Sequence, residues 1–407
     1  MKHAVAVALV LASAALGCGD DDTSVPLDAG AEDVPVVDVG GEDAPVDVGG
    51  EDAGPTFDGP ILIDLSERPP AMLSEMQLMH WDGEELQYNE GLVPYELNTP
   101  LFTDFALKAR AIYVPEGSAI EWVDDGPLTF PLGSVIVKTF YFPDDFREPS
   151  DDQHLIETRV LRLNEEGWEA WPYIWNEEQN DAVLSLGGAT RAIDFIDPDG
   201  EMQTANYLIP QRNQCSTCHE RNVGPDESSA MTPIGPRGRH LNREYAFESG
   251  SANQLQHMAD LGMLTGLPPL EGLDATYDYR QVQSLGADGI PAEDVDRAAR
   301  DYLDINCSHC HDPLGPQGVT SQLFLNYDSE DAFRLGICKR PGSAGEGTGG
   351  LTYDLVPGNP DESILFFRMA TVDIGAMMPL IGRSLQDTEA VALIRRWIAA
   401  MEPQSCE

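Results

Sequence analysis

The chain has 407 residues, 42% of them hydrophobic, which is enough for several cored domains, and a formal net charge of −46 from 24 Lys and Arg against 70 Asp and Glu. So large an acidic excess argues against nucleic acid or an anionic lipid surface as partner and favours a basic protein. Beyond the N-terminus no apolar run reaches the length that spans a bilayer.

The first segment, "MKHAVAVALVLASAALGCGDDD", has a basic start at Lys2, an apolar stretch from Ala4 to Leu16, then Gly17 and Cys18. This pattern is a secretory signal over residues 1–17 with a lipobox-like end, in which Cys18 becomes the lipidated first residue of a periplasmic or outer-membrane lipoprotein. Ala15 stands where a lipobox usually has leucine, so plain signal cleavage is the alternative; both imply export. Residues 18–59 form a low-complexity stretch in which "DVGGEDA" at Asp38–Ala44 recurs at Asp47–Ala53. Its acidic side chains repel one another and it has too little apolar surface to offset ordering entropy. A disordered tether is expected, with calcium binding as the alternative.

Residues 60–211 read as a strand-rich domain. A helical turn near Met72–Met79 precedes "AIYVP", "SVIVKTFYF", "IETRVLRLN" and "GWEAWPYIWN", which are short β-branched and aromatic runs broken by Gly, Pro, Asp and Asn. In the last run Trp171, Tyr173 and Trp175 share one face at strand period. A carbohydrate platform is one use for such a face; a sheet core is the plainer one.

Two C-x-x-C-H motifs come next, Cys215, Cys218 and His219 in "NQCSTCH" and Cys307, Cys310 and His311 in "NCSHCH". C-x-x-C-H is the attachment signature of c-type haem. The thiols add to the two vinyl groups as thioethers, and the adjoining imidazole reaches the iron. Two haem c groups are therefore expected, in a first haem region at 212–290 and a second at 291–407. A zinc site would bring its second cysteine pair about 15–20 residues after the first, far short of the spacing here. A thioredoxin-like redox pair would need a βαβ context.

The second motif is preceded by "AEDVDRAARDYLDINC", with Val295, Ala298, Ala299, Tyr302 and Ile305 at helical spacing, and "DESILFFRMA" and "DTEAVALIRRWIAAM" also read as helices. The sixth iron ligand decides what a haem does: methionine raises the potential, while an open position admits oxygen or peroxide. In "AMMPLIGRSL", between two helices, Met378 with proline after it is the expected distal ligand of the second haem. Met377 is held in reserve, and core packing is the alternative. For the first haem, His240, Met263 and Met231 are all candidates, no spacing selects among them, and a five-coordinate iron stays open. Cys338 and Cys406 remain, and in an oxidising compartment they are expected to form a disulfide rather than two free thiols. The expected fold is α+β and multidomain, a strand-rich N-terminal domain followed by two helical cytochrome c-like haem regions.

The order "PYELNTPLFTDFALKAR", "NQCSTCH", "PIGP", "LNREY", "NCSHCH", "CKRPGSAGEGTGG", "YDLVPGNPDESILFFRM" and "MMPLIGRSL" is similar to that of a family of uncharacterised exported di-haem c-type cytochromes, many of them lipoproteins. The similarity runs from about Ile61 to Met401 and leaves out the acidic tether. It implies two covalent haems at Cys215, Cys218, His219, Cys307, Cys310 and His311, and a parallel β-helix protein as partner, since members tend to be encoded beside or fused to one. It carries over no catalytic residues. The expected function is electron transfer to a basic redox partner. The alternatives are a di-haem peroxidase-type oxidoreductase with one open iron, although such peroxidases lack a strand-rich domain in front, and a glycan-recognising redox subunit.

Overall fold

The computed structural model describes residues 57–223, 229–316, 319 and 321–407. The signal, Cys18 and the tether up to residue 56 lie outside the described residues. Six strands, β1 (Leu92–Pro94), β2 (Leu107–Tyr113), β3 (Val135–Pro143), β4 (Gln153–Asn164), β5 (Gly167–Trp175) and β6 (Ala182–Leu184), pair antiparallel in chain order into one sheet. Their β-branched and aromatic residues suit a pleated surface that is buried on both faces.

One face is dry. Val135, Val137, Val160, Trp171, Tyr173 and Trp175 pack there against Leu73, Met76 and Leu78 from the segment before the sheet. Trp171, Tyr173 and Trp175 are 7%, 0% and 2% exposed. The Trp175 indole donates to Thr158 Oγ1 at 2.9 Å, and the Tyr173 hydroxyl donates to the Pro70 carbonyl at 2.9 Å. The aromatic row thus closes a core and offers no platform for a glycan.

The other face is divided. At one end Ile112, Ile136, Leu161 and Ala170 join Cys215, Leu255 and Met258 in an apolar cluster. At the other, Phe140 and Phe142 pack with Phe195 and Tyr207, which belong to the hairpin of β7 (Ala189–Ile196) and β8 (Met202–Ile209). Polar residues lie between the two ends.

The first motif occupies α1 (Cys215–His219), a helix of five residues followed by a hairpin of β9 (Glu220–Asn222) and β10 (Ser229–Met231). A turn at Gly238–Leu241, a hairpin of Glu244–Phe247 with Gly250–Asn253 and a short helix at Gln254–Asp260 complete this region. The second motif begins at the last residue of α3 (Val295–Cys307), which packs with α2 (Tyr279–Gly289), α4 (Ile364–Ala370) and α5 (Thr388–Ala400) in one cluster. In α3 the apolar stripe of Val295, Ala298, Ala299 and Tyr302 faces that cluster, while Ile305 joins the cluster of Cys215. The α5 helix is capped by Asp387, whose carboxylate accepts from Ala390 N, a contact worth about 1 kcal/mol.

The expected pair of helical cytochrome c-like regions is not what the chain forms. Residues Ala53–Glu407 cluster as one compact unit, the section around the first motif is mostly hairpins and single turns, and α+β holds only as a coarse description. The cause is local. "TPIGPRG" supplies Gly and Pro where a helix would continue, and "EYAF" and "GSAN" are too short and too alternating to sustain a 3.6-residue period.

Candidate functional site

At the end of α3 the chain turns tightly, with Cys310 N and His311 N both donating to the Cys307 carbonyl, at 3.1 and 2.9 Å. Above this turn lies a cavity of 410 Å³ whose wall includes Cys307, Cys310, His311, Met378, Arg368 and Arg383. Its size falls in the roughly 300–1,000 Å³ range of small-molecule and cofactor sites. Met378 is tied in place by its N–H to the Arg368 carbonyl at 2.9 Å. Met377 is buried beside it but does not line the cavity. Arg383 donates to the carbonyls of Arg368 and Thr371 at 3.0 and 2.6 Å, and its Nε is buried without a partner. Among the described residues neither arginine has a carboxylate in ion-pair range. The wall holds two thiols, the imidazoles of His309 and His311, the thioethers of Met369 and Met378, and these two guanidinium groups, a donor set that fits what a haem c needs for attachment, ligation and its propionates.

Each motif histidine has its Nδ1 beside one polar partner. His219 Nδ1 lies 2.8 Å from the Thr232 carbonyl. That oxygen can only accept, so the proton sits on Nδ1 and the Nε2 lone pair is left for a metal. His311 Nδ1 lies 3.3 Å from Ser321 Oγ. Burial pushes His219 down to about 3 and His311 down to about 4, so both are neutral at pH 7. Burial also raises all four thiols, Cys307 and Cys310 to about 12. Thiols of that kind are poor thiolate ligands or redox nucleophiles. Among the described residues no group of three or more His, Cys, Asp or Glu is placed to hold a metal ion.

The candidates for the first motif's distal ligand are dispersed. His240 is fully buried and directs Nε2 at Asp304 Oδ2, 2.9 Å away, beside Arg237 and Arg239. Met263 and Met231 are partly buried against the Cys215 cluster. Met231 pairs with Glu220 in the hairpin that follows the motif.

The two motifs touch. Cys310 Sγ contacts the Thr217 carbonyl at 3.5 Å, and Arg221 pairs with Asp312 at 2.9 Å with both side chains largely buried. Asn222 donates from its backbone to the Leu314 carbonyl at 2.9 Å and from Nδ2 to the Gly315 carbonyl at 2.8 Å. A Cβ on Gly315 would sit 2.2 Å from the Cys310 carbonyl oxygen, so only glycine permits this approach.

Sequence reasoning missed two further groups. The segment through Asn98, Thr99, Phe102 and Asp104 clasps both motif regions. Thr99 Oγ1 donates to the Tyr277 carbonyl at 2.8 Å, and Phe102 N donates to Asn306 Oδ1 at 2.7 Å. Asp104 accepts from the N–H groups of Ser384 and Leu385 at 2.6 and 2.8 Å. The second group is a set of cations on the sheet, Lys108, Arg110, Lys138 and Arg159, which are largely buried. Burial, with Arg159 and Arg110 adding to it, brings Lys138 down to about 7. The charges of Lys138 and Arg159 in turn lower His219. The available signal was basic residues at strand period, as in "LKAR", within an acidic chain.

Cys338 and Cys406 are joined as a disulfide spanning 68 positions. No helix among the described residues is long and apolar enough to cross a membrane. Comparison finds no match for the chain among family models, curated proteins or solved structures.

Proposed function

We propose that this chain is an exported electron-transfer protein carrying two covalent haem c groups, at Cys215/Cys218 and Cys307/Cys310. The observation that carries the reading is the cavity whose wall holds Cys307, Cys310 and His311 together with Met378. Haem bound there supplies a one-electron couple at iron. The residues' part would be to hold and tune it: the cysteines would tether it, His311 and Met378 would offer a nitrogen and a sulfur to the iron, and Arg368 and Arg383 would offer cations to its carboxylates. His219, with Nδ1 committed to Thr232, is the corresponding ligand at the first motif. The contact between the motifs would bring the two groups near each other, which supports electron passage between them within the chain.

A second reading, an oxidoreductase of the di-haem peroxidase type, draws on the first motif, where His240 commits Nε2 to Asp304. If His240 Nδ1, which is buried without a partner among the described residues, also stays off the iron, the sixth position there is exchangeable. Cys18 is the proposed lipid anchor, a basic protein the proposed redox partner, and a parallel β-helix protein a further proposed partner through the family resemblance.

The test is an optical redox titration of the mature protein, made in a host competent for cytochrome c maturation, with and without carbon monoxide. Two haems, at least one of them indifferent to carbon monoxide, are expected. A colourless product of apoprotein mass would overturn the reading, and two haems that both ignore carbon monoxide would exclude the second one.

A further inference from the structure

We propose that Lys108, Arg110, Lys138 and Arg159 form a carboxylate-binding site on the sheet face beside Cys215 and Cys218. In register, Arg110 of β2 stands opposite Lys138 of β3, which stands opposite Arg159 of β4. Three cations therefore occupy one cross-strand row. Lys108 lies in the next row, opposite Phe140. The Nζ atoms of Lys108 and Lys138 lie 5.8 and 5.0 Å from the centre of the Phe140 ring, and the Arg159 guanidinium 4.3 Å from it.

Like charges directly opposite one another destabilise a sheet, and a chain with 70 acidic residues has ample means of neutralising them. Among the described residues the nearby acids nonetheless leave Lys108, Arg110 and Lys138 without an ion-pair partner, and the one that reaches the row, Glu157, is taken up by Arg159. Glu157 accepts two hydrogen bonds from Arg159, at 2.9 and 2.5 Å, and one from the Tyr207 hydroxyl at 2.8 Å. Glu96 pairs with Arg243 at 3.0 Å. Asp387 accepts from Tyr279, Tyr302 and Ala390 N at 2.9, 3.0 and 3.1 Å. Among the described residues no carboxylate lies in ion-pair range of Lys108, Arg110 or Lys138, and the Lys108 ammonium donates only to the Ala106 carbonyl at 2.6 Å.

Burial brings Lys138 down to about 7 and holds Lys108 well below the usual ammonium range, and an anion from outside the polypeptide would restore their charge and complete the row. The Arg110 guanidinium beside the Lys138 ammonium suits a carboxylate, which accepts paired hydrogen bonds, while the Arg159 fork is already filled by Glu157. Two sources supply that chemistry: the propionates of a haem held at Cys215 and Cys218, or a free carboxylate compound bound next to it. The first source rests on the di-haem reading and the second does not.

The experiment uses the mature full-length protein as wild type, Lys138→Met, Lys138→Arg and Arg110→Met. Its readouts are the two reduction potentials and a calorimetric titration with succinate. With propionates on the row, Lys138→Met and Arg110→Met lower one of the two potentials, Lys138→Arg restores it, and succinate does not bind. With a free ligand, succinate binds wild type and Lys138→Arg and binds Lys138→Met at least tenfold more weakly, while the potentials stay put. Either result supports the site. Variants that change neither potential nor succinate binding overturn it. A colourless preparation refutes the haem reading alone; succinate binding weakened by Lys138→Met then still supports the row, and its absence overturns it.

Discussion

Cys310 Sγ lies 3.5 Å from the Thr217 carbonyl oxygen, which sets the second C-x-x-C-H turn directly against the first. The contact is secured by the Arg221–Asp312 pair, whose side chains are 11% and 12% exposed. Removing one member strands a buried charge, at a cost of about 3–5 kcal/mol, whereas replacing both by apolar groups costs much less. Asp312→Ala is therefore expected to lower the free energy of urea unfolding by about 3 kcal/mol, and Arg221→Met with Asp312→Leu to recover most of it. Equal losses in the single and double variants would show that the pair is screened and does not hold the motifs together.

Met378 lines the cavity and Met377 does not, so the two neighbours are expected to differ sharply when changed. Met378→Leu removes a thioether that raises the potential. It should lower one reduction potential and let carbon monoxide bind at that iron. Met377→Leu replaces a buried side chain with one of similar volume, at a cost of less than about 1.5 kcal/mol, and should leave both potentials unchanged. If Met377→Leu moves the potential instead, the axial assignment belongs to Met377.

Much of the sheet and of the second motif's surroundings is legible in the residues. "SVIVKTFYF" is too β-branched and aromatic to prefer a helix, and the stripe from Val295 to Ile305 is the stripe α3 buries. Met378 before a proline, between two helices, also lines the cavity. The rest depends on long-range register that no local pattern encodes. Lys138 is an ordinary alternating residue until Arg110 and Arg159 are known to flank it. Thr217 and Cys310 are far apart in the chain and meet only because α3 packs into the same apolar cluster as Cys215. The Gly- and Pro-rich stretch after His219 gives no periodic signal, and its hairpins take their form from the sheet they lie on.

The disulfide from Cys338 to Cys406 closes a loop of 68 positions that contains α4, Met378 and α5. By the chain-entropy estimate a crosslink over such a loop stabilises the fold by about 4 kcal/mol. Cys338→Ser with Cys406→Ser is expected to lower Tm by several degrees in an oxidising buffer. A reducing buffer should bring the wild type down to the same value. If the reductant leaves the wild-type Tm untouched and the double variant matches it, the bond adds nothing.

His240 and Asp304 contribute to how the protein responds to acid, together with His219, His309 and His311, which burial also depresses. Burial lowers the proton affinity of His240 despite its hydrogen bond to Asp304. Burial alone would raise Asp304, but the His240 hydrogen bond and Arg237 outweigh it and hold the carboxyl at about 2. In an unfolded chain the two groups titrate near about 6.5 and 3.9. Both are therefore depressed by folding, so the unfolded chain binds protons more readily and acid favours it. Their contribution is complete above about pH 6.5. It declines through the His240 range as pH falls, and Asp304 adds a second loss on the order of 2 kcal/mol between about pH 4 and 2. Urea midpoints measured from pH 8 to 2 should fall in those two stages. His240→Gln, which keeps a donor for Asp304 without a titrating ring, should make the first stage smaller, the remainder belonging to His219, His309 and His311, and leave the second. A midpoint that rises between pH 7 and 5 would mean that His240 gains its proton on folding and that the pair is ionic.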